Sequence, residues 1–229
     1  MAARKNLFMR QADVVTAYLN ADMPDEVYIK LPKICGDDPN MVRRLYKALY
    51  GNPKAGKLWN TDFVGFTGDE GFVATSRDRC LFFRPKPYFL LVLYVDDLLG
   101  ACECKRFLDK FWRKLSIVFK IRDMGTPSNF LGMEVSRDTA HSCISLSQTK
   151  YIHELASKFH LPVELRPTTP IRSDFYSQLE KSINTPIVTE MPYKELVGAL
   201  IFVMVCTRPD IAFSIACLTQ YFSAPRALH

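Results

Sequence analysis

Two adjacent carboxylates, Asp96 and Asp97, interrupt the most apolar stretch of the chain, between Tyr88-Phe-Leu-Leu-Val-Leu-Tyr-Val95 and Leu98-Leu99. A run of this length, rich in Leu, Val and aromatic residues, reads as a buried strand, with a second apolar piece, Leu98 to Cys102, directly after the acidic pair. Hairpin tips ordinarily carry Asn-Gly or Asp-Gly, because such turns need positive φ. Asp-Asp supplies neither glycine nor charge relief. Two like charges ~4 Å apart repel by about 4 kcal/mol at an effective dielectric near 20. A cation is therefore expected beside them, and a divalent metal is the usual one. A plainer reading makes Asp97 the cap of a following helix and leaves Asp96 solvated. Asp13 weighs against it. It lies between Arg10-Gln11-Ala12 and Val14-Val15, where it can end a strand beside the Asp96-Asp97 hairpin. Three carboxylates converging from two strands suit a pair of Mg²⁺ ions, with Mn²⁺ as a substitute.

The rest of the chain supplies the scaffold. Residues 12 to 20 read as a short strand running into a turn, and Val27 to Pro32 as an edge strand that stops at a proline. Gly51-Asn52-Pro53 is a turn cluster. Trp59, Phe63 and Phe66 follow at helical spacing, which predicts a helix over 55–67 with a core-facing stripe. Strands are predicted over Cys80–Phe83 and Tyr88–Val95, and an amphipathic helix over Lys105–Phe119. A strand pair follows over Phe130–Val135 and Cys143–Leu146. Ser147 is placed to cap a helix running to Phe159. Five prolines and many Ser and Thr between 162 and 192 read as a linker. Two helices close the chain, over Tyr193–Cys206 and after Thr207-Arg208-Pro209-Asp210, which has the spacing of a capping box. This interleaving predicts an α+β domain with a mainly antiparallel sheet.

The 229 residues are enough to bury a substantial core, and 48% hydrophobic with 24% charged residues excludes disordered and collagen-like classes. A formal charge of +6 suits a polyanionic partner. Seven cysteines are scattered without zinc-ligand spacing and read as reduced thiols. The first ten residues lack the apolar run of a signal peptide, and the longest apolar stretch, Val197 to Cys206, is too short for a bilayer. An intracellular location, in cytoplasm or nucleus and away from membranes, is expected.

On these residues the chain resembles the reverse transcriptase of copia-type long-terminal-repeat retrotransposons. The matching pieces run in order: Asp13-Val-Val-Thr-Ala-Tyr-Leu-Asn20, Glu26-Val-Tyr-Ile29, Leu45 to Gly51, Tyr94-Val-Asp-Asp97 and Phe130-Leu-Gly-Met-Glu134. Leu146-Ser-Gln148, Tyr151-Ile152, Thr169-Pro170 and Cys206-Thr-Arg-Pro-Asp210 follow. The resemblance implies a right-hand polymerase palm, an antiparallel sheet backed by helices, with partial fingers, a small thumb and a C-terminal helical pair. Its boundaries would be 1–136 for the palm with a remnant of fingers, 137–161 for a thumb-like segment, 162–192 for the linker, and 193–229 for the helical pair. It implies Asp13, Asp96 and Asp97 as catalytic metal ligands, joined by the Val14 carbonyl. Tyr18 matches the aromatic position under the nucleotide sugar that rejects a 2′-hydroxyl. Tyr50, Gly51 and Lys54 fall in the nucleotide-placing loop. Tyr94, Phe130, Leu131, Gly132 and Lys150 fall on the primer or template. The implied substrates are deoxynucleoside triphosphates and a primed RNA or DNA template.

Three departures accompany the resemblance. Asn52-Pro53-Lys54 stands where the family usually has Leu-Lys-Gln, and a proline there changes the backbone. Arg122 stands where a lysine is usual, and arginine is a poor proton donor. The family's Lys- and Arg-bearing finger strands cannot be found before Asp13, and the ribonuclease H region does not follow. A fragment or relic is therefore expected, in which the acidic triad survives and the nucleotide clamp does not. Polymerase, nucleic-acid binder without turnover, and inert relic are the three outcomes this leaves.

Overall fold

The computed structural model describes residues 1–32, 34, 41–161, 169–171, 174–175, 178, 186–187 and 192–226. Most of the proline-rich stretch between 162 and 192, and Cys35, lie outside the described residues. Two compact units are present: Met1–Ser128 with Arg137–Ile144, and Asn129–Ser136 with Ser145–His229.

The first unit is built on β1 (Phe8–Val14), β4 (Val73–Ala74), β5 (Leu81–Arg84), β6 (Phe89–Tyr94), β7 (Asp97–Cys102) and β8 (Ile121–Gly125). They form one sheet in the order β4-β5-β6-β7-β1-β8, with antiparallel neighbours throughout. The expected mixed architecture with an antiparallel sheet is what the chain adopts. Helices α1 (Ala55–Asp69) and α2 (Lys105–Val118) supply the apolar cover. Strand alternation sends Phe82, Phe89, Leu91, Leu93, Leu98, Ala12 and Val14 into that core, where they meet Trp59 and Phe63 of α1 and Leu108, Phe111, Trp112 and Leu115 of α2. The helical spacing of these residues in the sequence is the spacing of the buried stripes. A small separate sheet pairs β2 (Tyr28–Lys30) with β3 (Val42–Arg44).

Two details sharpen the sequence expectations. The tip of the β6–β7 hairpin is Val95-Asp96, one residue earlier than the acidic pair suggests, so Asp97 begins a strand and caps no helix. Three strands escape the pattern reading, β3 and β4 because they are two or three residues long and β8 because Ile-Arg-Asp-Met-Gly carries little apolar signal, and the single strand expected over Phe130–Val135 is broken by a turn at Leu131-Gly132.

A two-residue turn of the second unit, Leu131-Gly132, joins β9 (Asn129–Phe130) to β10 (Met133–Asp138), and residues 137–144, the end of β10 and the start of the next strand, count with the first unit. Both turn residues have positive φ, 50° and 76°, as a mirror-type hairpin turn requires. β11 (Cys143–Ser147) follows, then α3 (Thr149–Lys158), α4 (Tyr193–Cys206) and α5 (Ala212–Thr219). The Ser147 hydroxyl accepts a bond from the Thr149 N–H at 3.1 Å, although Gln148 is the residue at the cap position. Tyr151 packs edge-on against Phe202 with centroids 5.2 Å apart, and Thr207 donates to the Gln148 side chain at 2.7 Å. The capping box expected before the last helix does not form. Arg208 pairs with Asp210 at 2.7 Å and takes the carboxylate that would have capped. Among the described residues no helix is long and apolar enough to cross a membrane.

Candidate active site

Asp13 is the penultimate residue of β1 and Asp97 the first of β7, and the register sets them directly opposite each other. Cross-strand partners leave the same face of a sheet, so both carboxylates project from the face opposite the Leu98–Ala12–Leu93 core row. The row continues on both sides. Tyr94 of β6 lies opposite Asp97, and Arg122 of β8 lies opposite Asp13. Asp96 occupies the adjoining turn, and its carbonyl accepts the Val14 N–H at 2.8 Å. The turn is thus tied to the end of the strand that carries Asp13.

Burial pushes the Asp97 carboxyl above its ordinary value, and the charges of Asp96 and Asp13 push it the same way. Asp97 thus lies close enough to Asp96 and Asp13 to feel both charges. Among the described residues none of the three is in an ion pair with Lys, Arg or His. Among the described residues no three His, Cys, Asp or Glu side chains, these three acids included, are gathered closely enough to hold a metal ion as they stand. Carboxylate oxygens are nonetheless the donors that a hard divalent cation takes, with part of its coordination left to water or substrate oxygens.

The aromatic neighbours come from the chain on either side. After β1, Thr16 turns with φ 51° into a single helical turn, Ala17–Asn20, held by the Asn20 amide donating to the Ala17 carbonyl at 3.0 Å. That turn presents Tyr18, whose ring stacks on Tyr50 with centroids 4.3 Å apart. Burial raises the Tyr50 phenol above its usual range, with the Asp96 charge the next cause and Asp13 a smaller one. Both tyrosines therefore stand beside the acids.

The other residues singled out in the sequence fall as follows. Gly51 has φ 92° with open space around its α-carbon, so its requirement is conformational. The Lys54 ammonium pairs with Asp25 at 2.6 Å. Val14 is buried, and Tyr94 is half exposed at the end of β6. Phe130, Leu131, Gly132 and Lys150 belong to the second unit, where Lys150 lies 4.0 Å from Glu154 one helical turn on. One residue at the site goes beyond its sequence reading. Trp59, assigned to the core stripe of α1, also donates its indole N–H to the Val95 carbonyl at 2.7 Å. Helical spacing shows that a tryptophan faces the core; it cannot show where its N–H goes.

Residues 1–173 match the family model described as reverse transcriptase (RNA-dependent DNA polymerase). The chain is 32% identical to the retrovirus-related Pol polyprotein from transposon TNT 1-94 of Nicotiana tabacum, over 100% of this chain and 18% of that protein. It is 30% identical to a protein ascribed to transposon Ty5-1 in Saccharomyces cerevisiae, over 95% of this chain and 71% of that one. It is 31% identical to the retrovirus-related Pol polyprotein from transposon RE1 of Arabidopsis thaliana, over 96% of this chain and 15% of that one. The chain thus spans less than a fifth of either plant polyprotein.

Proposed function

The chain belongs to the reverse transcriptase (RNA-dependent DNA polymerase) family, among copia-type transposon Pol polyproteins, and from that premise we propose that it is a polymerase palm segment whose Asp13, Asp96 and Asp97 hold Mg²⁺ for DNA synthesis. The observation that carries this reading is the facing pair Asp13–Asp97 with Asp96 in the adjoining turn, where Asp97 meets the charges of the other two and none of the three has a cationic side-chain partner among the described residues. Two bound divalent ions would supply Lewis acidity toward the primer 3′-hydroxyl and neutralise charge on the departing pyrophosphate. In the transfer itself the 3′-oxygen bonds to the α-phosphorus, the bond to pyrophosphate breaks, and the hydroxyl proton leaves.

The chain's own residues do the positioning. The three carboxylates would hold the metal and so help to align the reacting oxygens. Tyr18, steadied by its stack on Tyr50, lies under the incoming sugar and excludes a 2′-hydroxyl. Tyr94 and the Phe130-Leu131-Gly132 turn grip the primer, and Lys150 meets backbone phosphate. In this reading the sheet with its helices is the palm and β2–β3 the remnant of fingers. The segment through α3 is thumb-like, and α4 with α5 begins the connection region. A second reading, binding of primed template without turnover, draws support from the Lys54–Asp25 pair, which occupies the lysine of the nucleotide loop.

Primer extension on a primed RNA template, with deoxynucleoside triphosphates and Mg²⁺, tests the proposal. Asp96→Asn is expected to lower the rate about a hundredfold or more, as loss of preorganised charge stabilisation does. Equal extension by wild type and Asp96→Asn contradicts the assignment. Salt-sensitive binding with no extension by wild type selects the second reading.

A further inference from the structure

The β6–β7 turn is built from residues that do not favour it. Val95, the first of its two loop residues, has φ 57°, a region that β-branched side chains avoid and that hairpins normally give to glycine. Such a conformation persists only where its surroundings hold it. Two hydrogen bonds grip the loop, one on each carbonyl. The Trp59 indole N–H bonds the Val95 carbonyl at 2.7 Å, and the Val14 N–H bonds the Asp96 carbonyl at 2.8 Å. The loop backbone is clamped on both sides while the Asp96 side chain is left to the site.

Trp59 is itself rigid. It is 2% exposed, packed against Phe63 and edge-on to Phe119 with centroids 5.6 and 5.1 Å away. The molecule's other tryptophan makes the contrast. The Trp112 Nε1 is buried without a hydrogen-bond partner among the described residues, so this fold tolerates a tryptophan as bulk alone. Trp59 sits one turn into α1, whose first turn lies against Tyr18, since a β-carbon on Gly56 would come within 3.5 Å of the Tyr18 hydroxyl. One helix therefore abuts the tyrosine and holds the acidic turn.

We propose that Trp59 is a positioning residue, a latch whose indole N–H keeps Val95 in its strained conformation and so fixes the placement of Asp96. The proposal deepens, and rests on, the reading of Asp96 as a metal ligand.

Trp59→Phe keeps an aromatic ring and removes the N–H. Amide exchange and Mn²⁺ calorimetry are measured on wild type, Trp59→Phe and Trp59→Phe/Val95→Gly. Losing one hydrogen bond of ordinary net strength should speed exchange of the Val14 amide about tenfold and weaken Mn²⁺ binding about tenfold, while the Leu91 and Phe82 amides change less than about twofold. Val95→Gly, which removes the strain, should restore most of both. A uniform acceleration of all amides would mean that Trp59 acts only as core and would overturn the latch, as would unchanged Val14 exchange or a failure of Val95→Gly to rescue. Should Trp59→Phe not fold, exchange of the Trp59 indole N–H in wild type decides: a protected proton is expected, and one exchanging like a free indole overturns the proposal. If wild type takes up no Mn²⁺, the ligand reading of Asp96 fails, and Val14 exchange still decides the latch.

Discussion

Burial and two like charges hold the Asp97 carboxyl above its ordinary value, so ionising it costs the folded chain more than it costs the unfolded one. Its raised value means that the penalty is full above the folded value and fades as pH falls toward the ordinary carboxylate value, where the unfolded chain also protonates. Asp97→Asn should therefore stabilise the metal-free protein at pH 7 by a few tenths to about 1 kcal/mol, the size of a cross-strand like-charge term. Thermal melting should show a rise of about 1–3 °C that shrinks as the pH is lowered below the raised Asp97 value. An unchanged or lowered melting temperature at pH 7 would mean that the repulsion is relieved in the metal-free protein. The acids were legible from sequence because a charged pair inside an apolar ribbon has no packing role to fill. The Lys54–Asp25 pair was not, since its partners are 29 residues apart and no periodicity joins them.

Strand β7 meets helix α2 through Gly100, where an added β-carbon would lie 2.5 Å from the Trp112 ring and 3.0 Å from Phe89. Gly100→Ala should cost about 1–3 kcal/mol, the usual penalty for overpacking a close-packed core. Chemical denaturation would show it as a lower midpoint at unchanged slope, and a wild-type midpoint would mean that Trp112 moves aside freely. The helices were readable because α1 and α2 place their aromatic residues on one stripe. Edge strand β8 was not. It is held largely by pairing with β1 and by Arg10, which bonds both Asp123 and, at 2.6 Å, Asp109 of α2. Those bonds lower the Asp123 carboxyl below its ordinary value. An edge secured by charges leaves little hydrophobic pattern to read. The last helix was misjudged at its start for a related reason, because a local ion pair, Arg208–Asp210, competed with the cap.

At the scale of the whole chain, a net charge of +6 and a sheet face bearing Tyr94, Asp97, Asp13 and Arg122 are what the proposal of a polyanion brought to a metal site is argued from. Each neutralised phosphate contributes about −0.9 to the slope of log affinity against log salt, so three contacts would weaken primer–template binding about fortyfold between 50 and 200 mM. A flat salt response in a filter-binding or anisotropy assay would remove nucleic acid from the account. The antiparallel sheet and its two covering helices follow from pattern alone, whereas the line of side chains across four strands depends on register. Register is set by the length of the β6–β7 turn and by the core face of β1, which no local window contains. Mn²⁺ titration of the 229-residue chain, with free ion followed by electron paramagnetic resonance, reaches the central claim most directly. Wild type should take up Mn²⁺, and Asp13→Asn, Asp96→Asn and Asp97→Asn should each weaken uptake about tenfold or more while remaining folded. Uptake by Asp13→Asn equal to wild type, or none by wild type, would contradict a shared site built from those three acids.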